Sequence, residues 1–298
     1  MTPLPRLLLL GRTGQVGFEL ERTLGPLGLV TAADRAGADL TRPDAVRDLV
    51  RSVRPAVIVN AAAYTAVDKA EQEEALAAQV NGAGPGMLAE EAQRLGALLV
   101  HYSTDYVFDG TKAGAYRESD ACAPLNAYGR TKLAGEQAIE AAGAAHLIFR
   151  TSWVYGARGA NFYLTMRRLF RERPELRIVA DQVGAPTWCR AIAEATALVL
   201  SQLLAPRAAR SAREVSGIYH LTAAGGTSWH GFATAILALH PPAPGTPAPR
   251  LTPIPASAYA AATQRPANSR MDGAKLRDTF GIALPDWKEA LAQVAQAG

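Results

Sequence analysis

Along its first half, the chain alternates between two hydrophobic periods. Short, nearly unbroken apolar runs occupy residues 6–11 (RLLLLG), 29–34 (LVTAAD), 56–63 (AVIVNAAA), 98–108 (LLVHYSTDYVF) and 146–156 (HLIFRTSWVYG). Between them lie helix-length stretches at 14–24, 43–53, 71–95 and 125–142. An unbroken apolar strand is buried on both faces, and strands alternating with helices pair in parallel through right-handed crossovers. The pattern predicts an α/β fold with a doubly wound parallel sheet over residues 1–154.

The second half is less regular. It holds helical stretches near 161–174, 188–204 and 227–239, short strands at 177–181, 217–221 and 250–256, and a Pro/Gly-rich loop, PPAPGTPAP, at 241–249. We expect a smaller α/β substrate-binding lobe over 155–298, with the 217–221 strand added to the first sheet. Ligands of open α/β sheets lie beyond the carboxyl ends of the strands, where the strand order reverses, and a second lobe would close that crevice.

The first strand runs into Gly11-Arg-Thr-Gly-Gln-Val-Gly17, a GxxGxxG loop that opens a helix. Glycines there allow a tight turn, close approach of backbone to a pyrophosphate, and close packing of helix on strand. The helix N-terminus adds free N–H groups and a positive dipole end. Gly11, Thr13, Gly14 and Gly17 are therefore candidate cofactor residues of a Rossmann dinucleotide site. Asp34 ends the second strand at the distance where an acid binds ribose hydroxyls. A carboxylate there favours NAD, whereas Arg12 and Arg35 beside it suit the 2′-phosphate of NADP, so NADH and NADPH both remain open. Ala61, Ala62 and Ala63 end the third strand; they leave room for the nucleotide or simply pack the core.

Composition narrows the classes. The 298 residues carry 31 Lys and Arg against 27 Asp and Glu, a formal charge of +4 with no basic run, which argues against a nucleic-acid partner. Cys122 and Cys189 stand alone, without the spacing of a disulfide scaffold or zinc site, so no metal is expected. The Leu7–Leu10 run is far too short to span a membrane and lacks a cleavage site, so no membrane partner and a cytoplasmic location are expected.

The chemistry is carried by NAYGRTKLAGE (126–136). Tyr128 and Lys132 stand four residues apart, on one face of a helix. A nearby ammonium favours phenolate, so this spacing predicts a tyrosine of lowered pKa that gives its proton to a carbonyl as hydride arrives. Thr104, at the end of the fourth strand, can hydrogen-bond the same oxygen.

With these motifs, the chain resembles the extended short-chain dehydrogenase/reductases. Within them it is most similar to the dTDP-4-dehydrorhamnose reductase family, through GRTGQVG, RPAVIVNAAAYTAVDKAE, VHYSTDYVFDG, PLNAYGRTKLAGE, LIFRTSWVYG, ADQVGAPT and RPANSR. The resemblance implies reduction of the C4 ketone of a nucleotide sugar, dTDP-4-dehydro-L-rhamnose, to dTDP-L-rhamnose by NADPH or NADH. It implies that Tyr128 is the proton donor, with Lys132 and Thr104 completing the catalytic set. It further implies cofactor contacts from Gly14, Gln15, Val16, Asp34, Asp39, Leu40, Ala63, Tyr64, Thr65, Tyr102, Tyr128 and Lys132. Substrate contacts would come from Thr104, Asp105 and Trp153. Asn81 matches an asparagine that organises the site in related reductases; Arg265 and Asn268 either bind substrate or lock a loop. Some relatives bridge a dimer through a glutamate-held divalent ion. Glu19 fits the first such position, but Trp188-Cys189-Arg190 lacks the second, so a monomer or weak homodimer is expected. The competing readings are a related epimerase or dehydratase, the latter weakened by Tyr106 where an eliminating glutamate belongs, and a regulatory subunit without catalysis.

Overall fold

Leu7, Leu8, Leu9 and Leu10 are all fully buried, as expected of a strand covered on both faces. Each contributes about 1.5–3 kcal/mol relative to an exposed side chain. They form β1 (Arg6–Leu10) in a computed structural model that describes residues 4–205, 208–260 and 262–297. The chain continues through α1 (Gln15–Thr23), β2 (Leu29–Ala33), α2 (Pro43–Val53), β3 (Val57–Asn60), α3 (Val67–Ala70) and α4 (Glu74–Ala78). Next come α5 (Gly84–Leu95), β4 (Leu98–Thr104), α6 (Ala127–Ala142), β5 (His146–Thr151), β6 (Val154–Tyr155) and α7 (Phe162–Glu172). The remainder is β7 (Glu175–Val179), β8 (Val183–Gly184), β9 (Thr187–Trp188), α8 (Cys189–Leu204), β10 (Gly217–His220), β11 (Thr227–Ser228), α9 (Trp229–Leu239), β12 (Arg250–Ile254), α10 (Ala274–Phe280) and α11 (Trp287–Ala297).

Six strands form one parallel sheet in the order β10-β5-β4-β3-β1-β2. The order reverses between β1 and β3, which opens a crevice past their carboxyl ends. Alternate residues feed two cores. Leu8, Leu10, Ile58, Leu99 and Ile148 pack with Val46, Val50, Leu88 and Ile139 of α2, α5 and α6. Leu7, Leu9, Val59, Val100 and Phe149 pack with Leu20 of α1 and Ile192, Val199 and Leu200 of α8. Both α8 and β10 lie beyond residue 154, so the later half of the chain returns to cover and extend the first sheet. A separate core of Tyr155, Tyr163, Phe232, Trp287 and Leu291 holds the smaller lobe together.

Three predicted elements are broken. Residues 71–95 are not one helix: a π turn at Gln79–Ala83 separates α4 from α5. Pro85 has no N–H to give the Asn81 carbonyl four residues back, so the α ladder fails there. The 98–108 run leaves the sheet at Thr104 and turns through a 3₁₀ turn at Asp105–Val107, with the Thr104 hydroxyl accepting from the Tyr106 N–H. The 146–156 run is interrupted at Trp153, a non-glycine residue at φ +47°. The sheet's crossover helix α6 starts where the sequence says it should: Asn126 caps it by accepting from the Gly129 N–H at 2.8 Å.

Candidate active site

The glycine loop lies across the ends of β1 and β3. Gly11 has φ +83°, and a Cβ there would collide with the backbone of Ala61 and Ala62. Gly17 packs so closely under the Gly11 carbonyl that a side chain would overlap it. Gly14 caps α1 without any side-chain bond, and no acid occupies the first turn, so the helix's first N–H groups and positive end face outward. Alongside lies a cavity of about 430 Å³ lined by Gly11, Thr13, Gly14, Asp39, Leu40, Ala61, Ala62, Ala63 and Tyr64. This cradle suits a pyrophosphate and its adjoining nucleoside.

The other predicted cofactor positions fall at its margins or behind it. Asp34 accepts from the Gly37 N–H at the end of β2, and Gln15 holds Asn161 at 2.8 Å. Val16 packs into the apolar cores and Thr65 is exposed. Arg12 is held by Glu21 through two bonds of 3.0 and 2.6 Å, while Arg35 leans toward Asp39 at 3.6 Å and is largely exposed. The Asp39 carboxyl sits below its ordinary pKa because the backbone and hydroxyl of Thr41 both donate to it. Tyr102 differs most from expectation. Its ring lies in the core against Phe149 and its hydroxyl binds Thr196 at 2.8 Å. What it offers the site is its carbonyl.

At the carboxyl end of β4 the structure gathers Thr104, Asp105, Tyr128 and Lys132. Thr104 donates to Asp105 at 3.1 Å, and its hydroxyl stands beside the Tyr128 phenol, which it pulls toward a lower pKa. The Tyr106 ring stands edge-on to Tyr128, with centroids 5.5 Å apart. Lys132 is buried; its Nζ donates to the Tyr102 carbonyl at 2.6 Å and lies 3.1 Å from His101 Nε2. Burial lowers its pKa to about 8, against the pull of Glu136. The phenol pKa moves opposite to the lowering expected from the sequence. Burial pushes Tyr128 above its ordinary value, the Thr104 hydroxyl works the other way, and Asp105 adds to the rise. An i, i+4 spacing sets two side chains on one face, but burial decides the charge here, and the Nζ is occupied by Tyr102 and His101.

Burial also raises Asp105, to about 6, against the pull of the Ser269 and Thr104 hydroxyls; Thr104 donates to Oδ1, and Oδ2 is buried without a hydrogen-bond partner. Among the described residues, Ser103 Oγ and Thr151 Oγ1, at the ends of β4 and β5, are buried without a partner. Trp153 stacks on Trp229 at 3.5 Å and 7°, and Gly184 makes room for its ring. Asn81 is a clamp: it pairs with both backbone groups of Tyr64 on the groove wall and donates to Thr131 on α6 at 3.3 Å. Arg265 is bound to Asp68 by two contacts of 2.9 Å, and Asn268 donates to the carbonyls of Lys112 and Gly114. Arg265 thus ties its segment to α3, and Asn268 ties its own to the loop at Lys112–Gly114.

Sequence reasoning missed Asn60, His101, Trp229 and the buried Glu136–Arg150 pair, whose two bonds are 2.9 and 2.6 Å. Asn60 and His101 meet because β3 and β4 pair in one register; only that register would have revealed them. Among the described residues, no helix is long and apolar enough to cross a membrane, and no three His, Cys, Asp or Glu side chains gather as a metal site.

Residues 5–298 match the family model described as RmlD substrate binding domain. A dTDP-4-dehydrorhamnose reductase from Burkholderia thailandensis is 52% identical over 290 residues, covering 96% of each chain. That of Escherichia coli K12 is 46% identical over 288 residues, covering 95% of this chain and 94% of its own. Among solved structures, the Bacillus anthracis dTDP-4-dehydrorhamnose reductase in complex with NADP superposes with a TM-score of 0.89 at 34% identity, covering 99% of both chains. A UDP-glucose 4-epimerase from Thermus thermophilus shares the fold, with a TM-score of 0.79 at 19% identity.

Proposed function

Since the chain belongs to the dTDP-4-dehydrorhamnose reductase family, we propose that Thr104, Tyr128 and Lys132 carry out its reaction, reduction of the C4 ketone of dTDP-4-dehydro-L-rhamnose. It is an NAD(P)H-dependent oxidoreductase. The observation that carries the assignment of residues is the convergence of Thr104 and Tyr128 at the carboxyl edge of β4, with Lys132 one turn along the same helix.

When bound, the dihydronicotinamide supplies a hydride. Gly11, Thr13 and Gly14 would hold the pyrophosphate over the N-terminus of α1, and Asp34, Asp39 and Leu40 the adenosine side. Tyr128 serves as the proton donor. A phenol of raised pKa stays protonated at neutral pH, which is the form an acid must have before it donates. Thr104 would turn its hydroxyl from Asp105 to the ketone oxygen, where negative charge develops. Lys132 would contact the nicotinamide ribose from its seat on the Tyr102 carbonyl. Asp105 and Trp153 would contact the nucleotide sugar. The direct test is NADPH or NADH oxidation on adding enzymatically prepared dTDP-4-dehydro-L-rhamnose. Cofactor binding without oxidation would reject the catalytic reading. NAD retained through purification, with no need for added cofactor, would favour an epimerase.

A further inference from the structure

The backbone of Arg12 lies against the end of β2: the N–H groups of Gly11 and Arg12 both donate to the Ala33 carbonyl, at 2.9 and 3.2 Å. Asp34 and Arg35 follow Ala33 directly, so both arginines start beside one place. Their side chains part. Arg35 lines the groove with Gly11, Gly14, Asp39 and Ala63. Arg12 turns into a neighbouring cavity of about 410 Å³ against α1, with Phe18, Glu21, Arg22 and Arg158.

Glu21 holds Arg12 there. Its two oxygens accept from Arg12 Nε at 3.0 Å and Nη2 at 2.6 Å, a fork that fixes the guanidinium in one plane. Arg22 and Arg158 share the cavity, their guanidiniums 3.5 and 3.4 Å from the centre of the Phe18 ring. Among the described residues, Glu21 is the one carboxylate paired with any of these three cations. Without its charge, Arg22 and Arg158 would repel Arg12 out of the cavity. In the groove the balance is different. Asp34 ends β2 with a carboxylate suited to ribose hydroxyls, so a 2′-phosphate placed there would meet like charge. Arg35, 3.6 Å from Asp39 and largely exposed, is the arginine left to offset it.

We propose that Glu21 is a specificity-determining residue for the cofactor. By withdrawing Arg12 from the end of β2, it leaves a 2′-phosphate to Arg35 and lowers the preference for NADPH over NADH. This rests on the reading of the glycine-loop groove as the dinucleotide site.

The test is binding of NADPH and NADH to the full chain, each Kd read from nicotinamide fluorescence. Glu21→Gln frees Arg12 and removes no group from the groove. The Arg12–Glu21 pair is partly exposed, 45% and 30%, and exposed ion pairs are weak. The preference for NADPH should therefore rise about two- to fivefold, with NADH affinity unchanged. Arg12→Ala supplies the control. In the parent it should leave the preference where it is, because Arg12 is already withheld. In the Glu21→Gln background it should abolish the gain. Arg35→Ala should weaken NADPH binding in the parent and spare NADH. An unchanged preference in Glu21→Gln overturns the proposal, as does a gain that survives Arg12→Ala. A fall in NADPH affinity from Arg12→Ala alone overturns it too, since Arg12 would then already reach the phosphate. Gly11→Ala separates this from the underlying reading. If it leaves the affinity for both nucleotides unchanged, the groove is not the dinucleotide site and the proposal falls with it. If both affinities drop while Glu21→Gln changes no preference, the groove stands and only the role of Glu21 is rejected.

Discussion

Where Gly11 meets the end of β3, the groove is made of backbone and very small side chains, whereas the wall behind Tyr128 is made of polar and charged side chains closed off from water. There Gly11, Gly14 and three alanines place N–H groups and empty space, and the charged side chains of the groove, Arg35, Asp39, Lys69 and Glu73, stand farther along it. Behind Tyr128, burial moves Tyr128, Asp105, Lys132 and His101 each toward the neutral form. The first region is specified by shape and the second by proton positions. A sequence motif encodes shape well, because only glycine fits. It encodes protonation poorly, because that depends on partners distant along the chain.

The sharpest way to break this contrast is Tyr128→Phe. Removing the proton donor should lower turnover by about two to four orders of magnitude, while cofactor affinity measured by fluorescence stays unchanged. Near-native turnover would mean the acid is elsewhere. Asp105→Asn probes the cost of the buried charge. Because the folded-state pKa of Asp105 is about 6 against an ordinary 3.8, its contribution favours the folded state below pH 3.8 and is lost as pH rises through 6. The variant should therefore gain up to about 3 kcal/mol at pH 7.5 over the parent. Thermal unfolding should show that advantage vanish at pH 3.5. An equal gap at both pH values would show that ionisation is not its source.

Gly11→Ala tests the shape-built region. With φ +83° and the Ala61–Ala62 backbone in the way, it should weaken cofactor binding about tenfold, or ~1.4 kcal/mol. Turnover at saturating cofactor should fall much less, and a larger loss there would blur the distinction. The smallest effect is expected from Arg265→Ala. Its bond to Asp68 is partly solvated, so the change should cost ~1 kcal/mol or less in unfolding free energy, with the substrate KM unmoved. A large rise in KM would transfer Arg265 from loop lock to substrate contact.

Much of the scaffold was legible. Leu7–Leu10 and Val57–Asn60 read as buried strands because strands covered on both faces lack polar alternation. GRTGQVG marked the start of the first helix, and the 125–142 stretch the helix that carries Tyr128 and Lys132. The interruptions were harder to read. The π turn needs Pro85 to be weighed against Asn81 four residues earlier, and the break at Trp153 depends on Trp229 and Gly184, far along the chain. In the site, residue identities were legible but their couplings were not. Tyr102 turns its ring away because Thr196 of α8 claims the hydroxyl. The lysine's partner is set by strand register, which no local spacing reports.

β10, the outermost strand of the main sheet, is supplied by Gly217–His220 and closes the flank of β5. During synthesis, β5 leaves the ribosome well before its neighbour exists. At ~5–20 residues per second the nascent protein carries an uncovered, apolar strand edge for several seconds. Chaperone demand and inclusion-body formation should thus follow the delay between these two strands, and a circular permutant that brings them closer in translation order should be released from it.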